Sequence, residues 1–131
     1  MPKTALPLLF LALALPAFAQ TTTTITESPC VRVVATCHFN TADGGQAWLN
    51  HPYFLDILNA SGGIVASCSN FTSYAYAVEG PLPTASHQVD VPWTLHAQCG
   101  NIVLDVLGHA HWNPYKYAGV YYFADSGTLT Y

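Results

Sequence analysis

Along most of this chain, apolar and polar residues alternate with a period of two. In VRVVATCHF (31–39), Val31, Val33, Ala35, Cys37 and Phe39 fall on one face. Short runs rich in β-branched and aromatic residues follow. They are YFLDIL (53–58), IVASCS (64–69), FTSYAYAV (71–78), HQVDV (87–91), WTLHAQC (93–99), NIVLDVL (101–107), YAGVYYFA (117–124) and TLTY (128–131). No window carries the 3.6-residue period of a helix, and Gly, Pro, Asn and Ser punctuate the runs. The pattern predicts an all-β fold, an antiparallel sandwich or barrel of about seven to nine short strands. With 131 residues the chain has the length of one domain and can bury a core.

The turns test this reading. Gly100-Asn101 is a favoured two-residue turn that would pair Cys99 with Ile102. The same register pairs Ala97 with Leu104, Leu95 with Val106, Gln98 with Val103 and His96 with Asp105, so alternation survives on both strands. His96 opposite Asp105 then reads as a solvent-side cross-strand pair. NASGG (59–63) and ADSG (124–127) each place Ser-Gly where a three-residue hairpin needs glycine in the left-handed region. The second would align Phe123 with Leu129.

Residues 1–19 break the pattern. Lys3, an apolar run over Ala5–Leu15 and Ala17-Phe18-Ala19 form a secretory signal peptide, too short for a membrane span. Residues 20–29 (QTTTTITESP) read as an extended Thr-rich leader, and 30–131 as the β-domain. A secreted, extracellular protein is expected.

Removing the signal leaves Arg32 and Lys116 as the basic residues, against seven acidic ones. Binding a polyanion takes several Lys or Arg, so nucleic acid and anionic membranes are not expected partners. Four cysteines in an oxidising compartment point to two disulfides, and the absence of a C-x-x-C pair argues against zinc. If the strands run up and down in chain order, Cys37–Cys68 and Cys30–Cys99 are the preferred bridges. Cys30–Cys37 is disfavoured, because seven residues of extended strand would separate the two by over ~20 Å.

Asn59-Ala60-Ser61 and Asn70-Phe71-Thr72 are N-glycosylation sequons, the first on a hairpin tip. Hydrolase, metalloprotease and phosphate-binding signatures are absent, and nothing places two carboxylates across a cleft. A protein without enzymatic activity or cofactor is expected. The stretch YFLDILNASGGIVASCSN, a strand, a polar Gly turn and a strand ending in Cys-Ser, resembles small secreted β-proteins of filamentous fungi, in particular the fungal major-allergen-like β-barrel family. The similarity centres on residues 53–69. That family has another cysteine soon after the hairpin, whereas here the next one is Cys99. The resemblance implies an effector-like protein of the apoplast or cell wall that binds host or microbial partners. It transfers no functional residue.

GHAHWNPYKY (108–117) carries the remaining chemistry. On a strand, His109 and His111 project from one face with Cα atoms about 6.6 Å apart, within reach of one metal ion. A metal site also needs a third ligand and a second shell, so recognition is the preferred reading. The up-and-down tracing brings Trp48 and His51 from the 40–52 loop beside His109, His111, Trp112 and Tyr115. The expected partner of that end is an extracellular protein, with a cell-wall polysaccharide as the alternative through its aromatic rings. Such binding would change between about pH 5 and 7.5, where histidine titrates. Trp93 and Tyr121 are expected in the core.

Overall fold

A computed structural model describes residues 20–30, 36–50, 54–115 and 118–131. The 1–19 segment, Arg32, His51, Lys116 and Tyr117 lie outside the described residues. The fold is all-β. Its strands are β1 (Thr22–Cys30), β2 (Thr36–Thr41), β3 (Gln46–Asn50), β4 (Phe54–Leu58), β5 (Ile64–Cys68), β6 (Ser73–Val78), β7 (Val91–Cys99), β8 (Ile102–Asn113) and β9 (Gly119–Thr130). All pair antiparallel in a single sheet of order β5-β4-β3-β2-β1-β9-β8-β7-β6.

The sheet is curled rather than split into two layers. In a flat sheet, β5 and β7 would lie about 34 Å apart at the usual strand spacing. Their Cys68 and Cys99 Cα atoms are 6.2 Å apart and the sulfurs are bonded. The sheet therefore rolls into a half-barrel whose inner face forms the core. Alternation selects that face: Cys37, Phe39, Ala47, Leu49, Leu55 and Ile57 on one side of the roll, and Trp93, Leu95, Ala97, Leu104, Val106 and Leu129 on the other. Trp93 packs edge-on against Tyr122, with ring centroids 5.7 Å apart, and Tyr76 from β6 meets both rings. Burial pushes the Tyr76 hydroxyl above its ordinary range, and its hydrogen bond with Tyr122 adds to this. Trp93 is in the core as expected. Tyr121 is only half-buried, and its neighbour Tyr122 takes the inward position.

Both disulfide pairings expected from chain order are wrong. The bridges are Cys30–Cys37 and Cys68–Cys99. Cys30 and Cys37 do not share an extended strand. They are cross-strand partners of the antiparallel pair β1 and β2, with Cα atoms 4.2 Å apart. The sheet order also separates the expected partners: β1 lies between β2 and β9, so Cys30 is three strands from Cys99, and Cys37 is three strands from Cys68.

Three further expectations change. The Thr-rich leader forms β1, a central strand bonded to β2 and β9, with Ile25 in the core. The 40–52 segment holds a strand, β3, rather than only a loop. ADSG is not a hairpin: β9 runs through it and bulges there, pairing Ala124 with Gly108 and Ser126 with Leu107. The Gly100-Asn101 hairpin, by contrast, has the expected register at every pair from Leu95–Val106 to Cys99–Ile102. NASGG is also a hairpin, closed by Asn59–Gly63 hydrogen bonding with Gly62 at φ 87°.

Candidate functional site

The outer face of β6–β9 carries the densest polar chemistry in the described part of the protein. Its residues are the outward half of each alternation. On β8 the inward positions are Leu104, Val106 and Ala110, so Asp105, Leu107, His109 and His111 point outward. Register then sets their neighbours. His96 and Thr128 flank Asp105, Thr94 and Ser126 flank Leu107, Pro92 and Phe123 flank His109, and Tyr121 lies beside His111.

Among the described residues there is no Lys or Arg, so the carboxylates of this face meet histidines instead. His96 Nδ1 donates to Asp105 Oδ1 at 2.5 Å. His111 Nδ1 donates to Asp90 Oδ1 at 2.7 Å. His109 Nδ1 sits between the two oxygens of Asp125, at 2.8 and 3.0 Å, and its Nε2 is 4.0 Å from Asp90 Oδ2. Asp125, His109, Asp90 and His111 thus form one alternating chain of acids and imidazoles. Phe123 anchors it from below. Its ring stacks on His109 at 5.2 Å and 15° and meets the edge of His111 at 6.2 Å. The β9 bulge supplies Asp125: it is the extra residue between the Gly108–Ala124 and Leu107–Ser126 pairs, and the bulge turns its carboxylate toward His109.

Gly108 allows β8 to lie close to its neighbours at this point. A Cβ there would meet the Phe123 carbonyl at 1.9 Å and the Trp93 indole at 2.8 Å. Beside the histidines, a groove of about 470 Å³ runs over the outer face. Ala75, Ala77 and Leu107 give it an apolar lining, and Thr94, His96, Asp105 and Thr128 supply polar groups. Leu107 is 57% exposed, a large apolar side chain left in water beside the groove.

The structure divides the residues expected to converge. His109 and His111 do share a face. Trp112 has the parity of buried Ala110 and lies on the opposite face of β8, half-buried. Tyr115 is 79% exposed in the turn after β8, its backbone N–H donating to Asn113 Oδ1. Trp48 is on the outer face of β3, and β2, β1 and β9 separate it from β8. It does not meet the histidine chain; its ring stacks on His38 instead. The tracing failed because it assumed strand neighbours in chain order.

Sequence reasoning found His109 and His111 but missed Asp90, Asp125 and Phe123, which complete their surroundings. The turn-like Asp-Ser-Gly of β9 was the available signal, since the residues that favour turns also favour bulges. Among the described residues, no group of three or more His, Cys, Asp or Glu is arranged to hold a metal ion. Both Nδ1 atoms of the histidine pair already face carboxylates.

Comparison with known proteins yields no matching family model, no matching curated protein and no matching solved structure. Among the described residues no helix is long and apolar enough to cross a membrane.

Proposed function

We propose that this is a secreted, non-enzymatic interaction protein, effector-like in kind, that binds an extracellular host or cell-wall protein through the outer face of β6–β9. The observation that carries the reading is the Asp125–His109–Asp90–His111 chain beside the groove. Its groups alternate in hydrogen-bonding role, imidazole N–H donors with carboxylate acceptors, as a polar protein surface requires for matched pairing. Phe123 is stacked on one side by His109 and met edge-to-face by His111, which leaves it less open to a sugar than a bare ring. Leu107 adds an apolar anchor at the centre. Among the described residues the imidazoles of His96, His109 and His111 hydrogen-bond to carboxylates rather than to a hydroxyl, which supports a binding reading over a hydrolytic one.

The signal-like residues 1–19 and the two disulfides support the secreted reading. Both sequon asparagines are exposed, and Asn59 is the better glycan acceptor because it lies on the β4–β5 hairpin tip. The kinship proposed is with the fungal allergen-like β-proteins.

The test is differential capture from extracellular fluid on immobilised wild type, His109→Ala/His111→Ala and Trp48→Ala. The reading expects a protein retained by wild type and Trp48→Ala but lost by the double histidine variant. Its affinity, measured with purified components, should fall at least about tenfold, roughly 1.4 kcal/mol. Equal retention by all three variants would remove the β6–β9 face from the function.

A further inference from the structure

The opposite side of the roll carries an unrelated arrangement. Trp48 stands on the outer face of β3, between His38 on β2 and Asp56 on β4. Its indole lies flat against the His38 imidazole, with centroids 4.0 Å apart and planes 7° from parallel. His38 covers the β2 side of the indole and fixes its orientation. The Trp48 side chain stays 42% exposed. On β4, Asp56 Oδ1 accepts the Ser67 hydroxyl at 2.6 Å. This holds the carboxylate in place and leaves its second oxygen to accept from a ligand. Phe54, 41% exposed, is the diagonal neighbour of Trp48 across the β3–β4 pair.

We infer that this face binds a neutral pyranose whose ring hydroxyls are equatorial, as in a β-linked glucose or N-acetylglucosamine chain. Such a ring presents an unbroken C–H face, which packs on a rigid, exposed indole. Its edge hydroxyls are donors, and a carboxylate beside the indole is a strong acceptor for them. Asp56 would repel a uronate or sulfated ring, which favours an uncharged sugar. Phe54 extends the apolar surface, so an oligosaccharide gains contacts that a monosaccharide lacks. This site is separate from the one proposed above and does not depend on it.

The test is calorimetric titration of the intact protein with cellohexaose, laminarihexaose and chitohexaose. At least one should bind wild type with Kd below about 1 mM. Trp48→Ala should weaken that binding at least tenfold, Trp48→Phe should retain part of it, and His109→Ala/His111→Ala should leave it unchanged. The variants' circular dichroism must match wild type, which the exposed position of Trp48 favours. If none of the three sugars binds at millimolar concentration, or if Trp48→Ala binds as wild type does, the inference is overturned. Histidine-dependent protein capture would survive that outcome, so the two proposals fail separately.

Discussion

The two outer faces of this half-barrel use aromatic rings in opposite ways. On β8–β9, Phe123 is a base on which His109 is stacked, with His111 edge-to-face beside it, and the exposed chemistry is imidazole and carboxylate. On β2–β4 the order is reversed: histidine is the base and tryptophan is exposed. Both pairs are cross-strand neighbours in register, His109 with Phe123 and His38 with Trp48. Cross-strand stacking is thus the same device, and the face changes character with which ring is left accessible. One face offers charge and hydrogen bonds, the other a flat apolar plane with a single carboxylate beside it.

The largest effect should come from Gly108→Ala. The added methyl group would overlap the Phe123 carbonyl and the Trp93 ring. Backbone cannot yield cheaply there, so the loss should exceed about 4 kcal/mol in denaturant unfolding. The β8–β9 face would distort while β2–β4 kept its geometry. A variant of full stability would show that the close approach does not shape the histidine face.

The disulfides come next and rank against each other. Cys68–Cys99 ties the Trp48 half of the roll to the histidine half, with a sequence separation of 31. Cys30–Cys37 closes a hairpin with a separation of 7. Loop-closure entropy puts their contributions at about 4 and about 2.5 kcal/mol, respectively. Replacing each pair with alanine and comparing urea midpoints tests the order. A larger loss from the 30–37 pair would mean that the halves hold together without their covalent tie.

A smaller effect separates the two histidine uses. His38 Nε2 is buried without a hydrogen-bond partner. His38→Phe keeps a ring under Trp48 and removes that unmet polar atom, so stability should stay level or rise by up to about 1 kcal/mol. Thermal unfolding measures it. A loss above about 1 kcal/mol would show that the nitrogen matters and that both faces depend on imidazole polarity.

The smallest effect changes with pH only in acid. Asp43, in the β2–β3 turn, accepts from the Thr41 hydroxyl and from the Gly45 backbone N–H, and both hold its carboxyl below the ordinary carboxylate range. A depressed folded-state value contributes stability above the unfolded value, and this is lost as pH falls through the folded one. Asp43→Asn should therefore be less stable than wild type at neutral pH, with the gap closing below about pH 4. A gap that is constant with pH would exclude the carboxylate as its source.

Alternation made most of the sheet legible. The β7–β8 register followed from Gly100-Asn101, because only that pairing keeps apolar residues on one face of both strands. The Asn59 turn was legible for a similar reason. β1 was not, since a run of threonines has no apolar alternation and its place comes from pairing on both edges. β9 was misread because a bulge and a turn favour the same residues. The disulfides and the supposed meeting of Trp48 with His109 failed together. Both required the strand order, in which β1 returns between β2 and β9, and no local pattern encodes that long-range choice.

The separation of the two faces can be tested most directly by mapping backbone amide shifts as the three uncharged hexasaccharides are added. The account predicts perturbation at His38, Trp48, Asp56 and Ser67, with His109, His111, Phe123 and Asp125 unmoved. Perturbation centred on β8 and β9, or none on either face, would contradict it.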